Sequence, residues 1–185
     1  MRLVLYTLDS DKRRANGIAA TASDVFEAFR NDPGAGTVIK MSFVPKQGAA
    51  GYYVLDEDTR MAIAATVGLM SPYDEVVVMM HAGPARLSVQ GATHGDAVIG
   101  AGWWSLADAR TILSACTPTR LYFMCCQFGS TVPPTLGQNT ITDGPAFIAQ
   151  RMPTGATVCA MNENVMAIVG MPVLRPTFYT RRITA

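Results

Sequence analysis

Two apolar runs constrain this chain more than any other feature. The first, EVVVMMHAG, stops at His81 and Gly83; the second, RLYFMCCQFGS, stops at Cys126 and Gly129. A hairpin and a helix fit between them, so the two runs read as neighbouring parallel strands. Open α/β sheets place their chemistry at the C-terminal ends of such strands. A histidine at one strand end and a cysteine at the next supply a base and a thiol nucleophile.

The rest of the chain follows the same rhythm. Leu3 to Leu8 reads as a buried strand, and apolar spacing predicts a helix over Ile18 to Arg30. Thr37 to Val44 is expected as a strand and Gly51 to Leu55 as a hairpin arm. Asp56 to Leu69 is expected as a helix, with acidic residues at its positive end. After the strand Glu75 to Met80, the segments Arg86 to Gln90 and Ala97 to Ala101 flank the turn GATHGD as a hairpin. Ser105 is expected to cap a helix running to Ala115, and Arg120 to Cys125 to form the fourth core strand. Gly129 to Asn139 is a loop rich in proline and glycine beyond the cysteine, where binding loops lie. Asp143 or Thr142 caps a helix from Pro145 to Met152. Gly155 to Met161 is a fifth strand, with Val165 to Val169 as a pairing candidate. The tail MPVLRPTFYTRRITA carries no clear pattern. These elements predict one α/β domain over residues 1–185, a three-layer sandwich with a mostly parallel central sheet.

The composition narrows the function. A chain of 185 residues that is 49% hydrophobic supports one sizeable core. A net charge of +1 gives no basic excess for a nucleic-acid partner, and no apolar run is long enough to span a bilayer. The N-terminal apolar stretch is too short for a signal-peptide core, so cytoplasmic residence and free thiols are expected. Two histidines and four cysteines show no metal-ligand spacing, and no glycine-rich nucleotide fingerprint follows the first strand. No cofactor or metal is expected. The methionines read as core filler.

In the leading arrangement Cys126 attacks and His81 activates the thiol or protonates the leaving group. The Gly83 and Cys126 N–H groups are the oxyanion candidates. Gly129 is expected to let the chain turn tightly, so that amides face the thiol. Cys125 points to the opposite face and is the runner-up nucleophile, because a one-residue register change exchanges the two. His94, in the turn sequence HGD, is the alternative base. Asp96 and Asp108 are candidate imidazole orienters. Cys116, at a helix end, and Cys159, in mid-strand, read as core. Taken singly, a strand cysteine or a strand-end histidine is more often structural than catalytic.

The pattern resembles the caspase-like fold of clan CD cysteine peptidases, in particular the CHAT and bacterial toxin-type domains. Those domains end one strand with His-Gly and the next with a Cys followed closely by a small residue or Gly. VVVMMHAG is similar to the histidine strand, with Ala82 inserted before the glycine, and RLYFMCCQFGS to the cysteine strand. WWSLADARTILS resembles the intervening helix, and DGPAFIAQRMPTGATVCAMNENV the following helix and strand. The likeness covers about Glu75 to Val169. It implies a cysteine endopeptidase acting on a protein or peptide substrate, with His81 and Cys126 as the dyad. The alternative is a catalytically silent caspase-like domain that serves as a protein-interaction or effector-binding module.

Overall fold

The apolar runs form the centre of a sheet that has six strands among the described residues. The computed structural model describes residues 2–7, 36–69, 75–136, 140–163 and 179–185. In chain order its elements begin with β1 (Arg2–Tyr6), β2 (Thr37–Lys40), β3 (Phe43–Pro45), β4 (Tyr52–Leu55) and α1 (Glu57–Leu69). Next come β5 (Glu75–Met79), β6 (His81–Gly83), β7 (Arg86–Ser88), β8 (Thr93–His94), β9 (Ala97–Val98) and β10 (Trp103–Trp104). The last are α2 (Leu106–Ala115), β11 (Arg120–Met124), α3 (Gly144–Ala149), β12 (Thr157–Ala160) and β13 (Arg181–Thr184). The helix expected over Ile18 to Arg30 and the strand expected over Val165 to Val169 lie outside the described residues.

The large sheet runs in the order β2-β1-β5-β11-β12-β13. All its pairings are parallel except that of β13 with β12. Its strands alternate strictly between two apolar clusters, as the two-residue period of a strand requires. Leu3, Leu5, Val76, Val78, Leu121, Phe123, Val158 and Ala160 face one cluster. Val4, Val77, Met79, Tyr122, Met124 and Cys159 face the other. Burial on both faces explains why β5 and β11 are continuous apolar runs rather than alternating ones. The first cluster also holds Ile63 of α1, Leu113 of α2 and Ile148 of α3, so the described helices share one face. The opposite cluster includes Met161 and Tyr179, and Tyr179 packs on Tyr122 with ring centroids 5.2 Å apart. The chain is thus α/β with a largely parallel main sheet.

A second, mixed sheet runs β3-β4-β10-β7-β6. Two strands of the large sheet feed it directly. β2 passes through Met41 into β3, and β5 passes through Met80 into β6. The expected strand Thr37 to Val44 is therefore two strands in two sheets, and His81 starts a strand of the second sheet. The expected hairpin also changes register. Trp103 pairs with Ser88, and the Val89 amide donates to the Gly102 carbonyl at 3.0 Å. Its tip is the small ribbon β8–β9, turning at Gly95, whose φ of 56° suits the first corner of a primed turn.

The helix starts differ from one another. Asp143 caps α3 as expected, accepting from the Ala146 amide at 3.0 Å. Ser105 occupies the N-cap position of α2 but its side chain caps nothing there. Its hydroxyl instead accepts from Lys46 Nζ at 3.2 Å. No described helix is long and apolar enough to cross a membrane.

Candidate active site

The register of β5 against β11 sets the geometry. Glu75 pairs with Arg120, and each step keeps pace until Met79 pairs with Met124. His81 lies two residues beyond Met79, and Cys126 two residues beyond Met124. Both stand past the C-terminal ends of adjacent parallel strands, and both are half-buried.

Beyond Cys126 the chain turns sharply. Gln127 takes a φ of 56°, and the Ser130 amide donates to the Gln127 carbonyl at 2.9 Å. This turn carries Phe128 back into the core, where its ring lies 4.6 Å from that of Phe123. The neighbouring chain after β12 holds the turn in place. The Gln127 amide donates to the Glu163 carbonyl at 2.9 Å and the Gly129 amide to the Met161 carbonyl at 2.8 Å. Ser130 Oγ donates to the Asn162 carbonyl at 3.0 Å. Arg181 on β13 donates to the Gly129 carbonyl at 2.7 Å and pairs with Asp143.

Gly129 therefore serves a purpose other than the expected one. The left-handed residue of the turn is Gln127, and the Gly129 amide is engaged with Met161. The glycine is needed for close approach: a Cβ there would stand 2.5 Å from Asn162 Oδ1 and 2.9 Å from the Met161 carbonyl oxygen. Gly83, the other oxyanion candidate besides Cys126, pairs with Arg86 across the turn Pro84-Ala85.

The four thiols sort by burial. Cys125 faces the helix-covered cluster, is 1% exposed, and donates to the Val78 carbonyl at 3.4 Å. Burial pushes that thiol well above its ordinary range. Cys116 ends α2 and donates to the Ile112 carbonyl at 3.4 Å; burial pushes it up to about 11. Cys159, buried in β12, is also pushed up to about 11 by burial, against a partial pull downward from Arg182 and Arg120. Cys126 alone of the four is not buried.

The remaining candidates lie elsewhere. His94 and Asp96 are exposed on the ribbon β8–β9, which is joined to the body through Ser42 Oγ and Thr93 Oγ1, 3.0 Å apart. Asp108 is not an imidazole orienter but a structural hub. Its carboxylate accepts from the Leu55 amide at 3.0 Å and from Trp104 Nε1 at 2.8 Å, and pairs with Arg60. No group of three or more metal-ligating side chains forms among the described residues.

Two recesses escaped the sequence reading. One, of about 400 Å³, is lined by Gly129, Ser130, Thr131, Asn162 and Arg181, just beyond the Cys126 turn. The other, of about 370 Å³, lies between the second sheet and the start of α2. Neither His81 nor Cys126 lines either of them. The adjacent Trp103-Trp104 pair was the available signal for the second, but it reads equally well as core. Comparison of the chain with protein-family models, with curated proteins and with solved structures gives no match.

Proposed function

We propose that the chain is a cysteine endopeptidase of the caspase-like kind, residing in the cytoplasm, with Cys126 as nucleophile and His81 as its acid–base partner. One observation carries the proposal. The least buried thiol stands two residues beyond the end of β11, level with His81, which stands two residues beyond the matched end of the adjacent β5. The parallel pairing of β5 with β11 supports it further, because the resemblance calls for the histidine and the cysteine at the ends of successive strands, although here His81 opens β6 just past β5. In the full caspase-like sandwich a third layer covers the sheet face that carries Val77 and Tyr122.

In this mechanism the Cys126 sulfur bonds to the scissile carbonyl carbon, and the carbonyl electrons move to oxygen. The Gly83 and Cys126 amides are the donors this reading assigns to that oxyanion. His81 passes the thiol proton to the leaving amine as the peptide C–N bond breaks. Water then attacks the thioester, giving up a proton to His81, and the acid product and free thiol are restored. No step uses a cofactor.

The test is iodoacetamide labelling of the native protein across pH, read by peptide mass spectrometry, in the wild type and in His81→Ala. An isolated thiol is only a few per cent thiolate near neutral pH, so an imidazole that shares its proton accelerates alkylation by about tenfold or more. The expected result is rapid labelling of Cys126 near neutral pH, slowed by about that factor in His81→Ala. Inert Cys126, or a rate indifferent to His81→Ala, overturns the dyad and leaves the catalytically silent interaction module.

A further inference from the structure

The cavity of about 370 Å³ beside α2 has a one-sided chemistry. Among the described residues its walls include two cationic side chains, Lys46 and Arg86, and no acidic one. Among the described residues no carboxylate lies within ion-pair distance of either cation. The nearby acidic residue of the α2 first turn, Asp108, does not line the cavity; Leu55, Trp104 and Arg60 engage its oxygens. Lys46 makes one side-chain hydrogen bond, to the buried Ser105 hydroxyl, which leaves two of its three donors for other acceptors. The Arg86 guanidinium lies 5.5 Å from the centre of the Trp103 ring, and its donors meet no acceptor among the described residues. The rest of the wall is mostly aromatic and apolar, including Tyr52, Trp103, Trp104 and Ile141, with Ser105 and Thr140 as its other polar residues.

Unpaired cations next to flat rings select a ligand with two parts. An anionic group meets the ammonium and the guanidinium fork, and a flat body lies along the aromatic wall. The volume lies within the usual range of small-molecule sites, roughly 300–1,000 Å³. We propose that this cavity is a binding site for a small organic anion with a planar ring, whether its anionic group is a carboxylate or a phosphate. It is separate from the proposed dyad, so it stands or falls independently of the peptidase assignment.

The two tryptophans of the chain both line this cavity, so intrinsic tryptophan fluorescence reports on it directly. The experiment titrates the full chain with benzoate and with adenosine monophosphate, each beside its neutral counterpart, benzamide or adenosine. The same titrations are run on Lys46→Met, Arg86→Met and the double variant. Both cations are exposed, so these variants keep the fold, and unchanged urea midpoints verify that. The expected result is a saturable change with at least one anion, at least about tenfold tighter than its neutral counterpart, and weakened about tenfold or more in the double variant. A response to benzoate alone identifies the carboxylate; a response to the nucleotide alone identifies the phosphate. No saturable change with either anion up to millimolar concentration overturns the proposal. Equal binding of charged and neutral probes, or binding indifferent to the double variant, overturns it as well.

Discussion

Asp108→Ala is the most informative single perturbation of this fold. The carboxylate is 9% exposed and joins four elements: it sits on α2, accepts from β4 and β10, and pairs with α1 through Arg60. Removing it leaves two donors without acceptors, the Leu55 amide and Trp104 Nε1, in residues that are each 1% exposed. Hydrogen bonds to a charged group contribute about 1.5–3 kcal/mol each, so these two account for roughly 3–6 kcal/mol. Arg60 adds little, because its side chain is 37% exposed and water takes over its hydrogen bonds. For a chain of this size the loss corresponds to a fall in Tm of about 10 °C. The assay is urea unfolding followed by tryptophan fluorescence, with Arg60→Met as the paired control, expected to cost about 1 kcal/mol or less. If Asp108→Ala costs no more than Arg60→Met, the carboxylate is not the hub of the second sheet, and the reasoning fails.

Two further outcomes follow from the packing and the thiols. Gly129→Ala forces a methyl group against the Met161 carbonyl and Asn162, so it lowers stability by about 1–3 kcal/mol and changes the labelling rate of Cys126. Gly68→Ala, with open space around it on the exposed side of α1, serves as its counterpart and stabilises by up to about 1 kcal/mol; equal thermal midpoints for the two variants would count against this packing. Burial holds Cys116 neutral from its ordinary 9.0 up to about 11, so the unfolded chain releases this proton first as pH rises. Stability is therefore intact below pH 9 and declines toward pH 11, on the order of 1 kcal/mol per pH unit from this thiol; a urea midpoint that stays flat across that window contradicts it.

The parts of the fold legible in the sequence are those set by local signals. β5 and β11 announce themselves because burial on both faces demands unbroken apolar runs, and Asp143 announces α3 because its carboxylate reaches an amide three residues on. Signals that depend on distant partners were hidden. Thr37 to Val44 looks like one strand, since nothing in its apolar run marks Met41 as the point where the chain changes sheet. Ser105 looks like a cap, but Lys46 draws its hydroxyl away from the helix. The hairpin after β7 offers several glycine turns, and its register follows from the pairing of Trp103 with Ser88. Asp108 has partners 48 and 53 residues away, so its role is invisible to spacing. β13, with the sequence RRIT, is too charged to read as a strand, because an edge strand tolerates and even favours such residues.

That edge strand has a consequence for timing. The Gly129 carbonyl is held by Arg181, 52 residues further along the chain, and the amides on either side of Phe128 are held by the segment after β12. During synthesis, β5 and β11 emerge before the residues that supply these supports. The bend that carries Cys126 is therefore among the later features to become fixed, since contacts between distant residues form only after their loop-closure cost has been met. A thiol set on such a bend acquires its final surroundings when β13 joins the sheet, so its reactivity reports that docking.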